Sequence, residues 1–293
     1  MSRLAARALL SALVPLTLLA TPLFGCVDTG AEPISVALSV AGTDPEGAIL
    51  ARRGVPVTLE RANLAFGPLT LCAGFQAGDN CESALAEWRD AVVIDALDAA
   101  PVSVGVLTGI SGSARSYMYD LGFVSLLTTS VPLPLPAAES LGGASYIVEG
   151  SAEVDGTMIP FSARAALAQD ASIERGIPII RSGSGDAFAL ELDASSAPLT
   201  VRFAPSAWVA DIDFTALVQR RACAPGVDVV CDGQLEQRCA ADGTVETATP
   251  CTDIAQVCQP NTGCVERIEL APGSQASSAI RIALLSQTRP VFE

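Results

Sequence analysis

The cysteines come first among the residues of this chain able to do chemistry. There are nine among 293 residues, with no His and no Lys. His is the usual neutral-pH general base and the commonest metal ligand, and Lys carries Schiff-base and P-loop chemistry, so those mechanisms are closed to the chain's own side chains. Cys72 and Cys81 form one close pair, whereas Cys223, Cys231, Cys239, Cys251, Cys258 and Cys264 crowd into 42 residues. With Cys26 set apart, two groups of even count imply one local disulfide and a three-bridge module whose connectivity the spacing leaves open. The module's intervals of 7, 7, 11, 6 and 5 residues hold no Cys-x-x-Cys. Zinc and iron-sulfur sites are therefore disfavoured.

Carboxylates are the remaining candidates. Between Trp208 and Phe214 the alternation sets Trp208, Ala210, Ile212 and Phe214 against Val209, Asp211 and Asp213. On a strand, Asp211 and Asp213 would lie about 7 Å apart on one face. That arrangement suits a calcium ion, the one cofactor the pattern admits, or the acid and base pair of a glycosidase. The competing reading is a solvated polar face, or Asp213 as the N-cap of a helix starting at Phe214. Asp28-Thr29-Gly30 matches an aspartic-protease triplet but follows Cys26 too closely for a core strand to hold it, and no second triplet exists. Gly109-Ile110-Ser111-Gly112-Ser113 lacks the spacing of a nucleophile elbow and reads as a turn. Trp88, Tyr117 and Tyr119 are the aromatics that a carbohydrate platform would use, with core packing as the rival role.

Arg3 and Arg7 precede an apolar stretch from Ala8 to Phe24 that contains Pro15 and Pro22. This is the layout of a secretory signal peptide, and the stretch is short for a span of about 20 residues. It ends in Leu23-Phe24-Gly25-Cys26, which resembles the lipobox of bacterial lipoproteins, although Phe24 is bulkier than the family's usual residue there. The resemblance implies lipidation of Cys26. Val27 directly after it implies sorting to the outer membrane.

From Ile34 to about Phe214 short runs alternate with period two between turn residues, which predicts an all-β, antiparallel β-sandwich. Strands are expected at Ile34 to Val40, Val55 to Glu60, Leu64 to Cys72, Ala91 to Leu97, Val102 to Leu107 and Ser116 to Leu121. Asp155-Gly156 supplies a hairpin turn within Ser145 to Leu167. Phe188 to Leu192 and Leu199 to Phe203 are expected to form a second pair. Pro132, Pro134 and Pro136 mark an extended connector. Helices are expected at Glu82 to Arg89, Phe214 to Arg221 and Ser274 to Ser286. In the last, Ala276, Ile280, Ala283 and Leu284 share a face and should pack back on the sandwich, making the cysteine module an insertion. The segments Cys223-Ala-Pro-Gly, Cys231-Asp-Gly, Arg238-Cys239, Asp242-Gly243 and Gly263-Cys264 resemble the short cysteine-rich modules of bacterial surface proteins, with their Gly and Pro positions as ordinary turn chemistry. The β region, through its Glu87-Trp88 to Asp95-Ala96-Leu97 stretch, resembles β-sandwich domains of bacterial lipoproteins.

The expected organisation is a signal peptide over 1–25, a lipidated tether over 26–33, the sandwich over 34–221, the disulfide module over 222–266, and a helix and tail over 267–293. The mature chain carries 15 Arg against 32 acids, a net charge of −17. That balance repels phosphate backbones and argues against a nucleic-acid partner. The reading is a non-catalytic outer-membrane lipoprotein, held to the membrane through its lipid, that binds or braces an envelope or extracellular partner. The rival is a carboxylate-dependent hydrolase of envelope or extracellular polysaccharide. Cys26→Ser should move the protein into the soluble fraction on cell fractionation, and a mutant that stays in the membrane with its leader intact would refute lipidation.

Overall fold

Alternation gives the first strand, Pro33–Ala41, a buried face of Ile34, Val36, Leu38 and Val40 and a wet face of Pro33, Ser35 and Ala37. A strand of that pattern needs an apolar layer on one side, and the rest of the chain supplies it. The computed structural model describes residues 30–45, 48–74, 81, 84–124, 133–167, 180–181, 188–218, 221–287 and 289–293. Met1–Ala31 and Glu32–Glu293 cluster as two units, and the architecture that follows is that of the second. Cys26 lies outside the described residues, as do Asp28 and Thr29.

Two curled sheets face each other. The larger runs Ile180–Arg181, Ser116–Tyr119, Leu69–Cys72, Ala84–Trp88, Val102–Ile110, Pro33–Ala41, Leu199–Arg202, Val291–Phe292. The smaller runs Ile49–Leu50, Pro56–Phe66, Tyr146–Val154, Thr157–Ala165, Ile268–Glu269, with Val92–Asp95 also paired to Pro56–Phe66. The pairing is antiparallel except at Leu199–Arg202 beside Pro33–Ala41 and at Ile268–Glu269 beside Thr157–Ala165, which are parallel. The expected hairpin forms with Val154 opposite Thr157. Its turn residues Asp155 and Gly156 have φ of 50° and 76°, the pair of positive values that a two-residue turn between twisted strands requires.

Four expectations from the sequence are corrected. Leu64 to Cys72 is not one strand, because the chain leaves the smaller sheet at Phe66 and enters the larger at Leu69. Gly67, at φ 107°, makes that corner, and a Cβ there would come 2.3 Å from the Asp90 carbonyl oxygen. The helix expected at Glu82 to Arg89 is a strand over its described part, Ala84–Trp88, clamped between Leu69–Cys72 and Val102–Ile110. Pairing on both sides outweighs the helix preference of Ala, Leu and Glu. Leu190–Leu192 and Leu199–Arg202 do not pair with each other. The first joins Gly112–Ala114 and the second joins Pro33–Ala41, the chain turning between them through Asp193, whose carboxylate accepts from the Ser195 amide at 2.7 Å. Finally, Trp208 to Phe214 is not a strand but a short helix, Ser206–Val209, followed by a 3-10 turn at Phe214–Val218. Trp208, Val209 and Ile212 are all buried, a spacing that suits a helical turn rather than alternation.

All eight described cysteines are bridged, as Cys72–Cys81, Cys223–Cys239, Cys231–Cys258 and Cys251–Cys264. The module holds two small sheets, Val229–Asp232 with Leu235–Cys239 and Val245–Pro250, and Val257–Gln259 with Gly263–Val265. Its own core is sulfur, with Cys231, Cys251 and Cys258 buried together. Closing loops of this size stabilises by roughly 2–4 kcal/mol per bridge, chiefly by restricting the unfolded chain. Beyond it the helix Gln275–Ile282 starts at Ser274, whose hydroxyl accepts from the Ser277 amide at 3.1 Å. Ala276, Ala279, Ile280 and Leu284 enter the sandwich core, so the module is an insertion with sandwich on both sides of it in sequence.

Phe66 links the two sheets. It is fully buried, with its ring 5.9 Å from Trp88, 5.4 Å from Tyr119 and 5.2 Å from Phe203. Phe66→Ala should cost about 3–5 kcal/mol and Phe66→Leu markedly less, measured by denaturant unfolding. Equal, small losses would show that Phe66 does not join the layers.

Candidate functional site

The carboxylates singled out by the sequence are placed by the end of the short helix. Asp211 is exposed, and Asp213 sits half-buried just before Phe214. One Asp213 oxygen accepts from the Thr215 hydroxyl at 2.6 Å and the other meets the Arg53 guanidinium at 3.1 Å. The Thr215 hydroxyl and, less strongly, Arg53 hold the Asp213 carboxyl below the usual carboxylate value. This is the capping role, reached because the chain turns here rather than extends. The strand on which the 7 Å same-face spacing depended is not formed. A calcium ion on Asp211 and Asp213 would have to displace Arg53. Among the described residues no third carboxylate or sulfur joins these two in a ligand cluster.

The one such cluster among the described residues is Glu236, Cys251 and Cys264, whose ligand atoms lie within 4.8 Å of one another. Both sulfurs are committed to the Cys251–Cys264 bridge and offer no thiolate. Glu236 is instead a strut. It is buried, and its two oxygens accept from the Cys264 amide at 2.8 Å and from Arg238 Nε at 3.1 Å. Gly263 makes room for it, since a Cβ there would stand 2.4 Å from Glu236 Oε2. Gln234 works alongside, its side-chain oxygen accepting from the Cys258 amide at 2.9 Å. Sequence reading missed Glu236. Its one signal was a carboxylate between the closely spaced Cys231 and Cys239.

The aromatic candidates belong to the core. Trp88 is 4% exposed, Tyr117 4% and Tyr119 2%, so none presents a ring face to solvent. Burial pushes the phenols of Tyr117 and Tyr119 up from their usual value. Gly109 lies in the Val102–Ile110 strand, where a Cβ would come 1.9 Å from the Leu85 carbonyl oxygen, and Ser111 bonds the Glu32 amide at 2.8 Å. That segment is therefore strand and strand end, where a turn was expected. Pro134 pairs opposite Phe123 in a two-strand ribbon and Pro136 opens the helix Pro136–Ser140, while Pro132 lies outside the described residues. A cavity of about 280 Å³ is floored by Val36, Leu192 and Leu199 and edged by Glu191, Asp193 and Glu293. Two of those acids are already met by arginine, Glu191 by Arg115 at 4.0 Å and Glu293 by Arg202 at 3.2 Å.

The module also exposes one complete strand. Val245–Pro250 is exposed along all six residues and pairs on one side with Leu235–Cys239. Asp242-Gly243, noted in the sequence as turn chemistry, lies in the connection between the two strands, with Asp242 accepting from the Thr244 amide at 2.9 Å.

Fold and bridges together define a cysteine-rich β-sandwich protein of an oxidising, extracytoplasmic compartment. No protein-family model and no curated protein matches the chain. Among solved structures, MbnP from Methylosinus trichosporium is similar at a TM-score of 0.33 and 13% identity, over 62% of this chain and 79% of that one. A likeness of that size carries no functional argument.

Asp213→Asn should destabilise by about 1 kcal/mol or less, because Asn can still cap the turn and only the charge and one half-exposed ion pair are lost. A carboxyl lowered on folding stabilises above its unfolded value and loses that contribution as pH falls through the folded one. Melting temperatures of the two proteins should therefore differ above about pH 4 and converge below it. A constant gap down to acid pH would contradict the assignment.

Proposed function

We propose that the protein is a non-catalytic component of the bacterial cell envelope, anchored to the outer membrane by lipid on Cys26, that binds or braces a partner. The observation that carries this reading is the state of the nucleophiles and bases. The chain has no His and no Lys, and every cysteine of the mature chain other than the lipid-bearing one is spent in a disulfide. Carboxylates are what remains for general base work, and the pair that the sequence singled out is divided between solvent at Asp211 and an ion pair at Asp213. An all-β scaffold stapled by bridges holds loops and strand edges rigidly in an extracytoplasmic medium, as a binding component requires. With a net charge of −17 on the mature chain, its partners are expected to be cationic surfaces.

Cross-linking in cells followed by mass spectrometry should recover envelope or extracellular proteins in amounts comparable to the protein itself. The purified mature chain should turn over none of a panel of polysaccharides, peptides and esters. Turnover that disappears on substituting a named carboxylate would overturn the non-catalytic reading in favour of a polysaccharide hydrolase.

A further inference from the structure

We infer that the open edge of the Val245–Pro250 strand is a docking site for an extended, basic segment of a partner protein, which would add a fourth strand to the module's three-stranded sheet. The inference rests on the binding role proposed above and names its surface. The strand order of each sandwich sheet ends in strands of two residues, namely Ile180–Arg181, Val291–Phe292, Ile49–Leu50 and Ile268–Glu269, and the branch strand Val92–Asp95, paired to Pro56–Phe66 alone, has four. Short edges of that kind are how β proteins avoid unwanted pairing. The far edge of the module sheet, Val229–Asp232, is partly covered, since the Arg221 amide donates to the Cys231 carbonyl at 2.8 Å. Val245–Pro250 is the exception, six residues long and exposed throughout.

The register defines which groups it offers. The Cys251 amide donates to the Gln234 carbonyl at 3.0 Å, so Gln234 and Cys251 are a hydrogen-bonded pair and the ladder alternates from there. Thr249 and Thr247 point their amides and carbonyls inward, to Glu236 and Arg238. Ala248 turns its own outward, whereas Glu246 is the extra residue of a bulge, because the ladder shifts register between Arg238 and Cys239. Pro250 also faces outward and has no N–H, so it closes the free edge at one end. The outward amide and carbonyl of Ala248, with the Pro250 carbonyl, form a short template for an added strand. The side chains along it are small or β-branched apart from Glu246, so none obstructs the approach of a second backbone.

Rigidity and charge select the occupant. Bridges at Cys239 and Cys251 hold the sheet at both ends of this strand, so docking costs the module little ordering. Residues 222–266 carry seven carboxylates and a single base, Arg238, which is already paired with Glu236. A basic strand is drawn to that field, whereas a second copy of this acidic module is repelled by it.

The test uses the full mature chain and a fluorescently labelled peptide, Lys-Thr-Lys-Val-Lys-Thr, followed by anisotropy. Saturable binding is expected, with hydrogen exchange slowed at the Ala248 amide. Ala248→Pro removes one outward donor that the ladder does not use, and should weaken binding at least tenfold with unchanged melting and disulfide map. Ala248→Ser, which keeps the donor, should bind as the parent does. Glu246→Lys should weaken the basic peptide as well. The site is refuted if Ala248→Pro binds as the parent does, if Glu replacing Lys in the peptide leaves affinity unchanged, or if protection spreads over the acidic surface without favouring this edge. Absence of saturable binding also refutes it. Should the edge fail while cells still yield cross-linked envelope partners, this site falls and the wider binding role stands.

Discussion

Every other part of the molecule is arranged around an aromatic seam between two sheets of different size. Phe66 ends a strand of the smaller sheet and turns its ring onto Trp88 and Tyr119 of the larger. Tyr119 continues to Tyr117 at 6.2 Å, and Tyr117 to Phe292 at 4.7 Å and Phe188 at 5.0 Å. Large rings, some stacked and some tilted or edge-on, fill the gap between layers with few residues, which suits a chain only 5% aromatic. Spending Trp88 and both tyrosines here removes them from the surface. None of these three rings is therefore presented for stacking on a carbohydrate.

The seam alone does not close the sandwich. Its last pieces come from the far end of the chain, after the module. Ile268–Glu269 adds to the Thr157–Ala165 strand, and Arg267 beside it reaches Glu60 at 3.0 Å and Glu149 at 3.6 Å. Val291–Phe292 adds beside Leu199–Arg202, where Arg202 bonds the carbonyls of Gly42 and Ala99 and the carboxylate of Glu293. Half-exposed pairs of this kind contribute only about 0–1 kcal/mol each. They set alignment more than stability, holding the chain that follows the module against the scaffold that precedes it.

The module follows a different rule. Having almost no apolar core, it substitutes sulfur for hydrocarbon and buried polar struts for packing. Gln234, in the turn before the Leu235–Cys239 strand, and Glu236, on that strand, each bond the amide of a bridged cysteine, Cys258 and Cys264. A small unit held this way can leave a six-residue strand wholly in solvent, because its shape does not depend on burying that strand.

Composition and spacing were enough to read the oxidising compartment, the split of cysteines into a pair and a six, the all-β class, the Asp155-Gly156 hairpin and the docking helix at Gln275–Ile282. Each of these is encoded locally, by a count, a turn residue with positive φ, or a period of two or 3.6. Partner choice among strands is not local. Whether Leu199–Arg202 meets its sequence neighbour or Pro33–Ala41 depends on which pairing buries both faces, and residues 161 apart along the chain settle it. The same holds for Ala84–Trp88, whose helix-forming residues become a strand once two ladders enclose them. Asp211 and Asp213 looked alike in sequence. They parted because a short helix, stabilised by burying Trp208, Val209 and Ile212, turned one carboxylate to water and the other to Arg53. Connectivity of the six cysteines was likewise beyond spacing, since it follows from which backbones the hairpins bring to within 5.2–5.8 Å.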